Sequence, residues 1–228
     1  MNDDFDPTNQ DQGTEDWLAE RAGCFTASGF RDLRWDREAY KTGDRKGQLK
    51  PEPLLRTNYI AQVAAEILTG TAKISGRAKA MDHGKEMEPD AIAAYERRTG
   101  QLVEQCGFLR HPIHPFVGAS PDFLVNLDGG GEIKCPLSIT VHAITLRDGL
   151  PPEHIEQIQG GLWVTGRKWW DFISYNPLFP AGLDLYVQRV YRDEEVIQRI
   201  ENDVLTAWAS VQILLNELNS KKDTQCAA

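Results

Sequence analysis

Ser120-Pro121-Asp122-Phe123-Leu124-Val125-Asn126-Leu127-Asp128-Gly129-Gly130-Gly131-Glu132-Ile133-Lys134 is the stretch on which the fold turns. Phe123–Leu127 and Glu132–Cys135 are short runs of strand-forming residues, and Asp128-Gly129-Gly130-Gly131 between them is turn chemistry. With the turn centred on Asp128, residue 122 faces 134 and residue 124 faces 132. Side chains alternate across a strand, so Asp122, Leu124, Glu132 and Lys134 share one face. Phe123, Val125, Leu127, Ile133 and Cys135 take the other, which is apolar throughout. A slip of one residue would separate Asp122 from Glu132 and Lys134. In this register Asp122 and Glu132 are diagonal neighbours, about 7–8 Å apart at the backbone. Two carboxylates so placed can share a divalent cation, and a cation beside a lysine can cut a phosphodiester. Pro121 suits the start of a strand. The plainer reading is a hairpin with a wet polar face, on which Lys134 pairs with Glu132.

The chain has 228 residues, room for one large domain with a real core. Hydrophobic content of 41% and charged content of 26% are those of a soluble globular protein. No apolar stretch is long enough to cross a membrane. The opening Met-Asn-Asp-Asp-Phe-Asp lacks the basic and apolar regions of a secretion signal. Cys24, Cys106, Cys135 and Cys226 form no C-x-x-C pair, which argues against a zinc ribbon or an iron–sulfur site. Reduced thiols in a cytoplasmic protein are the expectation. A net charge of −9 argues at first sight against a nucleic-acid binder, because phosphate contacts need Lys and Arg. A metallonuclease escapes that objection: its site needs acids, and basic residues can line one channel while acids cover the outside.

Residues 1–14 are polar and acidic and are expected to be disordered; 220–228 read as a flexible tail, leaving a single domain over 15–219. A short helix opens over 17–21, and a capped helix start follows at Thr26-Ala27-Ser28. Residues 36–53 read as a mobile basic loop. Helices are expected over 54–68, stopped by Gly70, and over 77–98, with Pro89 a fault inside the second. Residues 102–109 read as a strand, and the connector His111-Pro-Ile-His-Pro115 carries two loop histidines without zinc-hydrolase spacing. Helices over 139–148 and 153–164 precede strands over 169–175 and 183–191, with Trp169-Trp170 as core. Residues 194–218 form the clearest helix: Val196, Ile200, Val204, Trp208, Val211, Leu215 and Leu218 recur at three or four. The order implies an α/β (α+β) domain, a central mixed β-sheet flanked by helices.

The pattern Asp122-x9-Glu132-x-Lys134 resembles the PD-(D/E)xK nuclease superfamily. Further segments narrow the match: Trp17-x3-Arg21-x4-Thr26-Ala27-Ser28, Gly84-Lys85-x2-Glu88, Glu132-Ile133-Lys134-Cys135-Pro136, Gln157-Ile158-Gln159 and Leu162-Trp163-Val164-Thr165. With Tyr175-Asn176-Pro177 and Tyr191-Arg192-Asp193-Glu194, they occur in the order of the phage lambda exonuclease-like alkaline exonucleases, over about residues 15–218. The resemblance implies a processive 5′-to-3′ exonuclease that digests one strand of linear double-stranded DNA to mononucleotides. A 3′ single-stranded tail would remain for recombination. It further implies Mg²⁺ as cofactor (two ions, with Mn²⁺ a candidate substitute), a homotrimeric ring around the DNA, and a single-strand annealing protein as partner.

Asp122 and Glu132 are the candidate metal ligands, since magnesium prefers hard oxygens and keeps several waters. The resemblance adds the Ile133 backbone carbonyl and Glu88. Lys134 would orient or help to deprotonate the attacking water and stabilise transition-state charge. Gln157 matches the family's glutamine near that water and offers donor and acceptor together. Arg21, Ser28 and Ser120 would form a pocket for the 5′-terminal phosphate: Arg grips it with two bonds and a helix start offers free N–H groups. Leu55 and Met81 fall near the positions where the family wedges apolar side chains into the duplex end. Each also has an ordinary reading: Glu88, Gln157 and Gln159 as helix surface, Ser28 as an N-cap, Leu55 and Met81 as helix core. Two other functions compete, a metal-dependent endonuclease of restriction or repair type and a DNA-end-binding module with a decayed site. An iron–sulfur helicase-linked nuclease lacks the cysteine spacing.

Overall fold

Strand β5 (Gly129–Lys134) is the axis of the larger sheet. It pairs antiparallel with β4 (Phe123–Val125) and parallel with β6 (Trp169–Tyr175); β7 (Leu185–Tyr191) continues antiparallel to β6. A parallel pair needs a crossover, and α4 (Ile139–Asp148) with α5 (Ile155–Thr165) supplies it. A second sheet holds three short strands, β1 (Phe25–Thr26), β3 (Val117–Ala119) and β2 (Leu109–Arg110), in that order. The other helices are α1 (Glu15–Arg21), α2 (Leu54–Thr69), α3 (Ala78–Thr99) and α6 (Glu194–Cys226). The computed structural model describes residues 12, 14–36, 38–72 and 78–226, the side chains of 78–81 and 223–226 excepted. Among the described residues no helix is long and apolar enough to cross a membrane. The stretch expected to be a disordered N-terminal tail lies outside the described residues, save for Gln12 and Thr14.

The sheet separates two cores, as period-two alternation requires. Leu124, Trp170 and Phe172 face one, with Phe30, Val63 of α2, Ile158 and Leu162 of α5, and Val204 and Val211 of α6. Phe123, Val125, Ile133 and Ile173 face the other, closed by Ala91, Ala94 and Tyr95 of α3. Arg56 is buried between α2 and α6. Its guanidinium donates to the Leu33 and Asp203 carbonyls and to Thr206 Oγ1, and pairs with Glu52 Oε1 at 2.6 Å. A buried charge is tolerable when it is paired and most of its donors are met in this way.

Several expectations need correction. Phe123 pairs with Gly131, Leu124 with Gly130 and Val125 with Gly129, so the hairpin is two residues tighter than expected. The turn is Asn126-Leu127-Asp128, with Asn126 left-handed (φ 48°), which asparagine tolerates. The three glycines are strand, not turn, and Leu127 sits exposed at the tip instead of on the apolar face. A shift of two preserves which side chains share a face. One more step along this register sets Asp122 directly beside Glu132. Ring packing explains the glycines. A Cβ on Gly129, Gly130 or Gly131 would lie 2.1, 2.5 or 1.9 Å from the rings of Trp169, Trp170 and Phe123 respectively.

Elsewhere, residues 102–109 contribute only a bridge from Glu104 to Leu124 and the start of β2. The helix expected after Thr26 is a 3-10 helix, Ala27–Leu33, without a side-chain cap. The loop 36–53 is pinched by a bridge between Ala39 and Leu49. Helix α3 runs unbroken through Pro89, and α6 continues through the expected tail to Cys226. Of the α6 stripe, Leu218 escapes burial. His111 is buried: its Nδ1 accepts from the Ile113 and His114 amides.

Gly131→Ala is expected to destabilise the protein by about 1–3 kcal/mol, because the methyl group would enter the buried Phe123 ring and force repacking. Denaturant unfolding measures it, and Phe123→Leu in the same background should recover part of the loss.

Candidate active site

The β4–β5 hairpin positions the acids. Asp122 stands just ahead of β4, its Oδ2 accepting from the Ile133 amide at 2.6 Å, which ties it across to β5. Glu132 is buried within β5, and its Oε1 accepts from Lys134 Nζ at 2.6 Å and from Gln157 Nε2 at 2.5 Å. Lys134 follows two residues later on the same face, and Gln157 reaches in from the first turn of α5. Glu88 arrives from α3. Residues 88, 91 and 95 fall on one helical face; Ala91 and Tyr95 are buried against the sheet, and Glu88 ends that stripe.

Electrostatics report the crowding. Burial, then Glu132 and Glu88, hold the Asp122 carboxyl well above the ordinary carboxylate range. Burial and Glu132 push Glu88 up as well, against a bond from Gln105. For Lys134, burial acts to lower the ammonium's pKa, but Glu132 and Asp122 outweigh it and hold it above its ordinary value. Among the described residues no three His, Cys, Asp or Glu side chains form a ready-made metal cage. Magnesium does not ask for one: it binds through one or two carboxylates and retains water. No hydrogen bond among the described residues engages Asp122 Oδ1 or Glu132 Oε2. Two hard oxygens within a surplus of negative charge are a donor set suited to such an ion.

Asp122, Glu132, Lys134 and Gln157 line a cavity of about 650 Å³ together with Arg21, Ser28 and Ser120. Arg21 approaches Ser120 Oγ at 3.4 Å and Thr26 Oγ1 at 3.5 Å, and no carboxylate hydrogen-bonds to it among the described residues. Burial pulls its pKa below the ordinary value. A partly buried cation whose hydrogen bonds among the described residues go to neutral hydroxyls can take an anion. Ser28 begins no capped α-helix; its Oγ meets Thr26 Oγ1 at 3.2 Å. Leu55 is 63% exposed, so it is not helix core. Met81 lies in α3, with its side chain outside the described residues.

Sequence reasoning did not assign a role to Trp17 or Thr26. The Trp17 indole N–H donates to Ser120 Oγ at 3.0 Å, and the Arg21 guanidinium lies 4.2 Å over its ring. The i, i+4 spacing of Trp17 and Arg21 carried that signal. The Thr26 amide N–H donates to the Tyr59 hydroxyl oxygen at 2.8 Å, a contact between elements that no local pattern announces.

Fold and site together define a PD-(D/E)xK-type core. The YqaJ-like viral recombinase domain matches residues 16–168. The alkaline exonuclease LHK-Exo from Laribacter hongkongensis is 35% identical, with a TM-score of 0.80, over 93% of this chain and 100% of that one. The chain therefore belongs to the YqaJ-like viral recombinase family, that of lambda exonuclease. A second structure of LHK-Exo, in complex with dAMP, matches at 36% identity, a TM-score of 0.80 and the same coverage. A phage-related exonuclease from Haemophilus somnus 129PT shares the fold at 18% identity and a TM-score of 0.63, over 86% of this chain and 96% of that one. No curated protein sequence matches.

Asp122→Asn keeps an oxygen for the Ile133 amide and removes one of the crowded charges. An acid whose pKa is raised by folding binds its proton more tightly in the native state, so its contribution to stability falls as pH rises through the raised value. Without divalent cations the variant should gain about 1 kcal/mol, or roughly 2–4 °C in Tm, near neutral pH. The gain should shrink towards acid pH; calorimetry across pH measures both.

Proposed function

We propose that the protein is a Mg²⁺-dependent exonuclease that digests one strand of linear duplex DNA processively from the 5′ end. It releases mononucleotides and leaves a 3′ single-stranded tail. One observation carries this reading: a single cavity is lined by Asp122, Glu132 and Lys134 together with Arg21, Ser28 and Ser120, and among the described residues Arg21's side-chain hydrogen bonds go to hydroxyls. The match to a protein described as an alkaline exonuclease, and crystallised with dAMP, supports it.

Asp122, Glu132, the Ile133 carbonyl and Glu88 would hold the ions, two by family resemblance and with Mn²⁺ as the alternative. Bound there, the metal supplies Lewis-acid stabilisation of charge on the reacting phosphate. Lys134 and Gln157, both bonded to Glu132 Oε1, orient the attacking water through Lys134's N–H donors and Gln157's remaining donor and acceptor. The lysine's positive charge also favours the developing negative charge. Water oxygen bonds to phosphorus, the P–O3′ bond breaks, and the departing O3′ leaves with a proton as the hydroxyl of the released nucleotide. The shortened strand carries a new 5′ phosphate, which Arg21, Ser28 and Ser120 draw into the pocket. Each product thus becomes the next substrate, which is the basis of polarity and processivity. Leu55 and Met81 would part the terminal base pair. Family resemblance supports a homotrimeric ring and cooperation with a single-strand annealing protein in recombination.

Linear duplex with a 5′ phosphate should be digested fast, its 5′-hydroxyl counterpart slowly, and covalently closed circles not at all; chelation should stop every reaction. Cleaved circles would instead favour an endonuclease. Glu132→Ala should lower the rate by about 10²–10³-fold or more while DNA-end binding persists in a mobility-shift assay.

Arg21→Ala should lose about 10–100-fold in kcat/KM on phosphorylated ends, the worth of a charge-assisted hydrogen bond. The loss on 5′-hydroxyl ends should be smaller, so that the preference for phosphate collapses.

A further inference from the structure

The hydroxyls around Arg21 have more than one way to point. A serine hydroxyl offers one proton and two lone pairs. At Ser120 both lone pairs meet fixed donors, the Trp17 indole N–H at 3.0 Å and Arg21 Nη1 at 3.4 Å, so its proton is left to donate into the cavity that Ser120 lines. At Ser28 the direction is open locally: its Oγ meets Thr26 Oγ1 at 3.2 Å, and either oxygen could give the proton. Tyr59 of α2 removes the choice. Its hydroxyl oxygen accepts from the Thr26 amide at 2.8 Å, and among the described residues its own proton has Thr26 Oγ1, at 3.3 Å, as acceptor. Thr26 Oγ1 also accepts from Arg21 Nη2 at 3.5 Å. With both lone pairs engaged, Thr26 gives its proton to Ser28, and Ser28 gives its own to the cavity. The hydroxyl contacts are longer than an ordinary O–H···O bond and can tighten around an anion. The Tyr59 ring is held in place: Phe25 meets it edge-on, with centroids 5.2 Å apart, and a Cβ on residue 29 would lie 2.5 Å from it, so the turn carrying Ser28 can approach only because that residue is glycine. Burial, above all, holds the Tyr59 hydroxyl above its ordinary pKa, so the proton stays on the oxygen.

We propose that Tyr59 is a positioning residue for recognition of the 5′-terminal phosphate: through Thr26 it turns the Ser28 proton toward a phosphate oxygen. The inference rests on the exonuclease reading, which seats that phosphate at Arg21, Ser28 and Ser120, and adds what sets the pocket's preference. Near neutral pH a terminal phosphate presents strong acceptor oxygens and little or no proton of its own, so a pocket whose two serines both give protons fits it. A 5′ hydroxyl carries a proton and no charge, and gains little from the same arrangement. Tyr59 acts at one remove, through Thr26 and Ser28.

The test measures kcat and KM of the full-length chain with Mg²⁺ on blunt duplexes bearing a 5′ phosphate or a 5′ hydroxyl. Tyr59→Phe keeps the ring and removes the hydroxyl. It should lower kcat/KM on phosphorylated ends by about three- to tenfold, mainly through KM, with a smaller loss on hydroxyl ends. In a Ser28→Ala background, which itself lowers the phosphate preference, Tyr59→Phe should change that preference by less than about twofold. Thr26→Ser should keep the preference and Thr26→Val should lose it, a comparison that stands even if Tyr59→Phe does not fold. Equal losses on both kinds of end, or a full additional loss in the Ser28→Ala background, would overturn the positioning role and leave Tyr59 structural. A wild-type chain indifferent to the 5′ phosphate, or a Ser28→Ala variant with its preference intact, would overturn the phosphate-pocket reading itself.

Discussion

Glycine packing in β5 is the constraint on which the rest depends. Gly129, Gly130 and Gly131 present no side chains because the rings of Trp169, Trp170 and Phe123 occupy the space beside them. Those rings fill the cores on both faces of the sheet, so the strand cannot slide without opening a cavity on each side. The register so locked sets Asp122 beside Glu132 and leaves Lys134 on the same face. One strand is thus half scaffold and half chemistry: its first three residues take instructions from aromatic packing, and its last three place charge.

That placement is unfavourable by itself. Asp122, Glu132 and Glu88 repel one another in a partly dehydrated site, and Lys134 offsets only part of the repulsion. The strain is tolerated because it rests on rigid neighbours. Asp122 is held by the Ile133 amide, Glu132 by Lys134 and Gln157, and Glu88 by a helix docked through Ala91 and Tyr95. Acids crowded in this way would be relieved by a bound cation. In the same cavity Arg21 has the opposite character, a partly buried cation that among the described residues meets hydroxyls and aromatic faces. A net charge of −9 does not conflict with this: the chain keeps Arg21 in the cavity among neutral hydroxyls.

Much of this was legible in the chain. Helix α2 follows from its spacing and its Gly70 stop and α6 from its apolar stripe, though not its end, as do β6 and β7 from their β-rich runs. The hairpin's faces were readable because the apolar period survives a shift of two, although the turn itself was misplaced. A run of three glycines signals a turn locally, and only the distant tryptophans show why it is strand. Residues 102–109 misled for the converse reason: an apolar run without a partner strand along its length forms no ladder.

The sequence alone determined which side chains share a face of the hairpin and which acids lie within reach of the lysine, because alternation along a strand is a local property. Only the tertiary structure decided the register, through Arg167, whose guanidinium donates to the carbonyls of Asn126 and Gly129 at 2.8 and 2.6 Å, and through the rings packed on the glycines. It alone joined Trp17, Arg21 and Ser120 with the acids around one cavity, and joined α2 to the far side of the same arginine. Such contacts lie about a hundred residues apart in the chain, where no periodicity reaches and only the closing of the two cores brings the groups together.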